Sequence, residues 1–483
     1  MSPPLVSFRC DGDDRIGAGH VARCLQLAKA FAAGGYDIVF EGSFRGTAAA
    51  LLEAAGFPAR PALAAEEGGP AGSGVIVDSY SIADAEIEQM SRDRPTAVIC
   101  DGSRGPRATA VLSYHLGEVA VEPQTVAIVG VDYALVSPEF MAARRDRGFG
   151  RALVSMGGGH AGIDAIVAAV QALREVGGLE IFVAAVEPLP ATLAGADLQT
   201  GAVRGLRERI AWADVALAAG GTTAYDLACA GVPAVLAVLA DNQRLIVRTL
   251  GRAGVAVPSC GEPAASAFAA PVRRLAEPDS RAGLASAGPR LVDGYGAFRA
   301  RDALVAAFSG RAIPPILRYR PVTMADADRL LSWRNEQSVR RWSRSTAVIR
   351  CQDHLRWLWR TLADRRRWTL LMAQRGAEPL GVVRFERIGA AAEISVTVDP
   401  AARGAGNGTR MIREASELLL AAFPEVCGVT AEVHDGNVRS LAAFARAGFS
   451  ESPAPSKAPE WRSLVLDRAM LRATTERWLG GRP

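Results

Sequence analysis

Only five histidines occur in the chain, and one of them, His20, stands behind two glycines in the stretch RCDGDDRIGAGHVARCLQLA (Arg9 to Ala28). An imidazole exchanges a proton near neutral pH, and a nearby carboxylate fixes which ring nitrogen carries it. Asp11, Asp13 and Asp14 are candidates for that orienting acid. Leu5, Val6 and Phe8 predict a short buried strand, and from His20 onward Val21, Cys24, Leu25, Ala28 and Phe31 recur at helical spacing. Gly17 and Gly19 thus fall in a strand-to-helix turn, where bare backbone admits a ligand closely. The helix start offers unpaired N–H groups to a diphosphate or a bound water. A capping histidine among solvated acids fits the same spacing.

A second constellation lies in AWADVALAAGGTTAYDLACAGVPAVLAVLADNQ. Gly220, Gly221, Thr222 and Thr223 follow an apolar run and precede a helix, so hydroxyls and N–H groups gather where a diphosphate can bind. Asp226, one turn into that helix, is placed to accept hydrogen bonds from ribose hydroxyls. Asn242 and Gln243 follow the next predicted strand and project toward the same edge.

The third is EISVTVDPAARGAGNGTRMIREA. Glu393, Ser395 and Thr397 alternate with Ile394, Val396 and Val398, the period of a strand with two unlike faces. Arg403, Gly404, Gly406 and Gly408 then open a helix, and successive N–H groups in such a turn can wrap a pyrophosphate.

These groups need elements to hold them. Through about residue 305, short apolar runs (LVSFR, YDIVF, GVIVD, TAVICD, VAIVGVD, RALVSMGGG, LEIFVAA, PAVLAVL) alternate with helical patterns. That alternation predicts parallel sheets with helices on their faces. Gly-containing starts near Gly17 and Gly157 predict two doubly wound lobes, 1–145 and 146–308. SGRAIPPIL, with two prolines, predicts a linker over 309–316. From 317 to 483 the pattern changes to a strand, a helix and successive antiparallel strands, an α+β unit. A length of 483 residues suits three such units.

Bulk properties narrow the classes. A net charge of +4 is too small to imply nucleic acid as a partner. Seven cysteines without a C-x-x-C pair argue against a disulfide framework or structural zinc, and no metal is expected. No signal-peptide pattern and no membrane-length apolar stretch are evident, so the expected location is cytoplasmic.

The string Arg9-x-Asp11 … Ile16-Gly17-x-Gly19-His20-x-x-Arg23-Cys24-Leu25 resembles the UDP-2,4-diacetamido-2,4,6-trideoxy-β-L-altropyranose hydrolases of pseudaminic acid biosynthesis. VDSY (Val77 to Tyr80), YALVSPEF and SMGGGH extend the likeness over roughly the first 290 residues, and the second-lobe pattern resembles GT-B glycosyltransferases. The resemblance implies a GT-B-like fold, UDP-sugar substrates, and water attacking the anomeric carbon with release of UDP. It implies His20 as base, with Tyr80 and Asn242 binding and placing substrate. Asp226 stands where that family more often has glutamate. His160 is a possible phosphate contact, while His115 and His434 are expected to be surface or core histidines.

AEVHDGNVRSLAAFARAGF, with RPVT and SWRN, resembles the GCN5-related (GNAT) N-acetyltransferases over 317 to about 470, in particular the branch acting on UDP-4-amino-sugars. The resemblance implies acetyl-CoA as donor, its pyrophosphate on Arg403 to Gly408 and its pantetheine beside Ile394 to Val398. Asn437 would meet the cofactor arm, and Trp333, Arg334, Asn335 and His354 are candidates for the amino-sugar side. An N–H near Val396 would hold the thioester oxygen, and Glu393 would take the ammonium proton. Many relatives protonate the leaving thiolate from a tyrosine where this chain has Phe444. The expected whole is therefore a GT-B-like pair of Rossmann lobes followed by an α+β GNAT domain, performing two consecutive reactions. A glycosyltransferase in the first two lobes, or a non-catalytic acyl-CoA sensor in the third, is the alternative.

Overall fold

The computed structural model describes residues 3–13, 18–61, 74–102, 104–115, 119–157, 162–185, 189–195, 197–201, 205–261, 264–454, 456 and 458–480. The chain divides into two compact units, Met1–Pro314 and Pro315–Pro483.

The first unit holds two parallel sheets. One is built from β1 (Leu5–Cys10), β2 (Asp37–Glu41), β3 (Ala59–Arg60), β4 (Gly74–Asp78), β5 (Thr96–Ile99), β6 (Ala110–Ser113) and β7 (Val126–Val129) in the order β3-β2-β1-β4-β5-β6-β7. The other comprises β8 (Arg151–Ser155), β9 (Glu180–Ala184), β10 (Leu198–Gly201), β11 (Val215–Ala219), β12 (Ala234–Ala237) and β13 (Val257–Pro258) in the order β10-β9-β8-β11-β12-β13. Strands covered by helices on both faces can be apolar throughout. Accordingly β4 and β11 are buried at every residue. In each sheet the chain works outward from its first strand and then returns to that strand's other side. The order therefore reverses between β1 and β4 and between β8 and β11, and ligands of doubly wound sheets bind beyond the carboxyl ends at such a reversal. Strands β3, β6, β10 and β13 lie outside the runs legible in the sequence; β3 and β13 are two-residue edge strands, with no room for a pattern.

The second unit is a single sheet of β14 (Arg318–Pro321), β15 (Trp368–Arg375), β16 (Glu378–Ile388), β17 (Ala391–Val398), β18 (Gly428–His434), β19 (Ser450–Glu451) and β20 (Trp461–Asp467), ordered β14-β15-β16-β17-β18-β20-β19. All its pairings are antiparallel except β17 with β18. The parallel pair is short. It joins Ala391, Ala392 and Glu393 to Gly428, Val429 and Thr430 and then stops, while β18 stays paired with β20 to His434. From Ile394 to Val398 the two strands therefore splay. One face of the sheet packs the helices Ala327–Asn335 and Cys351–Ala363 through Trp333, Leu358, Leu370 and Met372. The long helix Asn407–Ala422 follows β17.

Candidate functional site

At the reversal point of the first sheet, the carboxyl ends of β1, β4, β5 and β6 bring together a connected set of polar side chains. His20 is the second residue of the helix Gly19–Ala33, which has no side-chain cap among the described residues. Its Nδ1 lies 2.6 Å from Oδ1 of Asp78, the last residue of β4. Burial alone would raise the Asp78 carboxyl, but the Arg23 guanidinium and His20 outweigh it and hold it below the ordinary carboxylate value. Asp78 is therefore ionised and can only accept, so Nδ1 carries the proton and Nε2 presents its lone pair. Nε2 makes no hydrogen bond among the described residues.

Arg23 organises the acids. Its Nε donates to Asp78 Oδ2 (2.6 Å) and its Nη1 to Asp101 Oδ1 (2.7 Å), with Tyr114 OH 3.3 Å from Nη1. Asp101 also receives His115 Nε2 at 2.8 Å and the Tyr80 hydroxyl at 2.5 Å. Although burial opposes it, His115 and Arg23 keep the Asp101 carboxyl far below the usual range. Burial and then Asp101 push the Tyr80 phenol up to about 12, so Tyr80 remains a neutral donor. Its ring meets the His20 imidazole edge-on, centroids 4.6 Å apart, yet the residue as a whole is 66% exposed. Tyr80 OH in turn accepts from Asn242 Nδ2 (3.2 Å), and His115 Nδ1 lies 3.0 Å from Tyr225 OH. Side chains at the carboxyl ends of both parallel sheets thus meet around His20.

The second sheet contributes Gly220 to Thr223 after β11, at its own reversal point, opening the uncapped helix Thr223–Ala230. A Cβ on Gly220 would come 2.3 Å from Val247, so packing demands glycine there; at Gly19 and Gly221 a Cβ would meet nothing within 4 Å. Those two glycines are not required by the fold. Asp226 makes no ion pair among the described residues, and burial raises its carboxyl to about 7. Gln243 braces its own loop, accepting from Leu239 N–H at 2.9 Å.

One expectation needs correction here. Asp11 does not orient His20; its Oδ1 accepts from Ser43 N–H at 2.9 Å, and Asp78 takes that role because strand β4 ends beside the helix start. His115, expected at the surface or in the core, is a core histidine buried within the polar set. Gly17, Asp14 and His160 lie outside the described residues.

In the second unit the opening between β17 and β18 has a defined donor edge. Asp399 N–H goes to Leu380 O on β16 (2.8 Å), so by strand alternation Val396 and Val398 turn their N–H groups toward the side that β18 has left. Glu393 closes the apex of the splay, with Arg344 Nη2 3.5 Å from its Oε1. Beyond β17, Gly404 (φ +86°) and Gly406 (φ +75°) occupy left-handed conformations that a side chain would strain. A Cβ on either would meet nothing within 4 Å, and Gly406 leads into an uncapped helix start. Gly408 stands in the first turn, where a Cβ would touch Val398 at 3.5 Å. This is a cradle of backbone donors suited to a pyrophosphate. Arg403 borders it, donating to Ser338 Oγ (2.7 Å) and Val398 O (3.2 Å).

Other residues singled out by sequence do structural work. Trp333 is buried in the core, with Nε1 donating to Asp399 Oδ2 at 3.0 Å. His354 is buried beside Trp357, its Nε2 3.0 Å from Ala327 O, and burial lowers its pKa. Both are corrected from sugar-facing residues to core residues, because their helix faces carry the apolar stripe. Asn335 ties down Ile349, accepting its N–H at 2.8 Å. Asn437 caps the helix Val438–Arg446 by accepting from Ser440 N–H at 3.2 Å. Phe444 is buried and packs edge-on against Phe449. Arg334 donates to Ser345 O (3.2 Å) and keeps a buried Nη1 without a partner.

Sequence reasoning passed over the roles of Asp78, Arg23 and Asp101. The signal was present as an acid ending or following an apolar strand run, GVIVD and TAVICD. Arg344 and Arg384 carry no local pattern. A cavity of about 450 Å³ along the helix Cys351–Ala363 borders Trp357 and Trp368 and is lined by none of the residues expected to act. Among the described residues no group of three or more His, Cys, Asp or Glu side chains is arranged to hold a metal ion, and no helix is long and apolar enough to cross a membrane.

No curated protein matches the chain in sequence. Among solved structures, the aminoglycoside acetyltransferase AAC(6')-Ib in complex with coenzyme A and kanamycin is similar at 19% identity over 33% of this chain and 99% of that one (TM-score 0.30). RimJ from Mycobacterium smegmatis with CoA-disulfide aligns at 19% identity over 34% and 90% (TM-score 0.30). Spermidine N-acetyltransferase from Vibrio cholerae with CoA and spermine does so at 12% over 32% and 97% (TM-score 0.29). Residues 317–450 match the family model of the acetyltransferase (GNAT) domain. That match lies wholly within the C-terminal unit, which is the part of the chain similar to GNAT acetyltransferases.

Proposed function

We propose that the chain is a bifunctional nucleotide-sugar enzyme of pseudaminic acid biosynthesis, working in the cytoplasm. Its C-terminal unit N-acetylates the 4-amine of UDP-4-amino-4,6-dideoxy-N-acetyl-β-L-altrosamine. Its N-terminal unit then hydrolyses the resulting UDP-2,4-diacetamido-2,4,6-trideoxy-β-L-altropyranose. In this reading residues 1–145 and 146–308 are GT-B-like lobes, 309–316 a linker, and 317–483 the acetyltransferase. Gly19 and Gly220 to Thr223 receive the diphosphate, and Asp226 receives the ribose.

The observation that carries the hydrolytic half is the His20–Asp78 pair at 2.6 Å, with His20 Nε2 making no hydrogen bond among the described residues. The oxygen of water attacks the anomeric carbon, the carbon–oxygen bond to the diphosphate breaks, and UDP leaves with the bonding pair. His20 Nε2 takes the proton lost by the water. Tyr80 and Asn242, joined at 3.2 Å, border the same space and suit substrate placement.

In acetyl transfer the neutral amine attacks the thioester carbonyl, whose developing negative charge suits the Val396 N–H. Glu393 first takes the substrate ammonium's proton through water; after attack the carbon–sulfur bond breaks, CoA leaves as thiolate, and the nitrogen's second proton passes to solvent. Arg403 to Gly408 cradle the CoA pyrophosphate. Phe444 gives the thiolate no acid.

A coupled assay tests both halves: the UDP-4-amino-sugar and acetyl-CoA are supplied, and free thiol and UDP are followed. Wild type should release both, whereas His20→Ala should release thiol and accumulate the acetylated UDP-sugar. Consumption of a sugar nucleotide only with an added acceptor would instead make the first unit a glycosyltransferase.

A further inference from the structure

Arg384 lies on β16, opposite Leu370 of β15 and Ser395 of β17. Its guanidinium sits 5.4 Å from the ring centre of Trp368 and 5.9 Å from that of Trp357. Among the described residues it makes no hydrogen bond and no ion pair. The two nearby acids on the same face are taken: Glu386 pairs with Arg367, and Glu393 with Arg344. Arg334 keeps its buried Nη1 unpartnered, and Arg340 donates to the carbonyls of Asn335 (3.0 Å) and Thr346 (2.8 Å). Three guanidinium groups therefore share this end of the sheet without one carboxylate among their hydrogen-bond partners in the described residues. The contact from Trp333 Nε1 to Asp399 Oδ2 fixes the last turn of the Arg334 helix at the carboxyl end of β17, beside the splay.

A half-buried arginine ordinarily finds a carboxylate, because removing its charge from water without compensation is costly. Here burial lowers the pKa of both Arg334 and Arg384; Glu386 and Glu393 favour the charge on Arg384, while Arg334 and Arg344 oppose it and Arg340 opposes that on Arg334. What Arg384 lacks among the described residues is a hydrogen-bond acceptor for its fork of N–H donors, and such forks match phosphate oxygens bidentately.

We propose that Arg384, with Arg334 and Arg340, binds a phosphate or diphosphate group of the amine acceptor beside the acetyl-transfer site. The inference rests on reading this unit as an acetyltransferase but not on the identity of the sugar. It makes a phosphorylated amine the substrate class, and Arg384 the residue that distinguishes it from a neutral amine.

The test is calorimetric titration of the full chain with inorganic pyrophosphate at saturating CoA, which occupies the cofactor cradle. Wild type should bind one more equivalent than Arg384→Gln. Should that variant not fold, Arg384→Met, which keeps the stem between the two tryptophans, carries the same comparison. With an acceptor that turns over, loss of this charge-assisted contact should raise its KM roughly 10- to 100-fold, with KM for acetyl-CoA unchanged. Equal pyrophosphate binding in wild type and variant overturns the proposal. Failure of the UDP-4-amino-sugar as acceptor, with the extra equivalent still present, overturns the proposed acceptor alone.

Discussion

His20 Nδ1 and Asp78 Oδ1 stand 2.6 Å apart although 58 positions separate them in the chain, and Arg23 holds the second Asp78 oxygen at 2.6 Å. The carboxylate thus fixes the imidazole tautomer while the guanidinium fixes the carboxylate. Both Asp78 and Arg23 are nearly inaccessible to solvent. Water does not compete for them, and the imidazole is held in a set orientation before substrate arrives.

Replacing Asp78 by Asn separates the orienting role from the charge. An amide can donate to Nδ1, which would move the ring proton to Nε2 and remove the basic lone pair. UDP release should fall roughly 10³-fold or more, while thiol release from acetyl-CoA stays within twofold. Arg23 loses half of its buried partner, so the melting temperature of the first unit should drop as well. Rapid UDP release by Asp78→Asn would show that His20 is not the base.

Asp226 gives a pH signature. Burial raises its carboxyl from 3.8 to about 7, so the folded chain holds this proton more tightly than the unfolded chain does. The stabilisation associated with the neutral acid is complete below about 4 and is lost as pH rises through about 7. Asp226→Asn should therefore match wild type near pH 4 and exceed it above pH 7 by roughly 1–3 kcal/mol. If the ionised carboxylate accepts the ribose hydroxyls, wild-type affinity for UDP should strengthen as pH rises through about 7, and the Asn variant should lose that dependence. Chemical denaturation and UDP titration at pH 5 and pH 8 measure the two effects separately.

Much of this architecture was legible because its strands are short and buried. GVIVD and TAVICD announce themselves as continuous apolar runs, and GAGH, GGTT and RGAGNG mark their turns by glycine. Asp78 illustrates the limit. Its strand was visible, but nothing local shows that β4 returns beside β1 and so delivers this acid, rather than Asp11, to His20. Trp333 and His354 illustrate another limit: polar-tipped side chains on amphipathic helices fit a binding surface or a core equally well until the helix face is known. Arg384 needs three strands and two tryptophans to acquire its meaning, and no window of sequence contains them all.

Gly220 and Gly221 are adjacent but differ in what they protect. Gly220→Ala would drive a Cβ to 2.3 Å from Val247, so it should lower the melting temperature of the first unit regardless of ligand. Gly221→Ala meets nothing within 4 Å and should leave that temperature unchanged, yet it places a methyl group where the diphosphate would approach. Its affinity for UDP should fall at least tenfold, on the order of 1.4 kcal/mol. Unchanged UDP binding in Gly221→Ala would remove this turn from the nucleotide site.

Glu393 at the apex of the splay pairs with Arg344 at 3.5 Å, and the two roles open to it predict different pH behaviour. As a base it takes the proton of the substrate ammonium before the neutral amine attacks, a contribution typically worth ~10²- to 10⁴-fold in rate. Glu393→Gln should then cut the rate of thiol release at neutral pH, with KM for acetyl-CoA unchanged. The deficit should shrink as pH approaches the pKa of the acceptor amine, because an amine that is already neutral needs no base. If Glu393 only anchors Arg344, the substitution removes one partly exposed ion pair worth about 0–1 kcal/mol. Any loss of rate would then persist at every pH, and Arg344→Gln would reproduce it. Rate–pH profiles of the two variants, taken with the same acceptor, separate proton transfer from positioning at this residue.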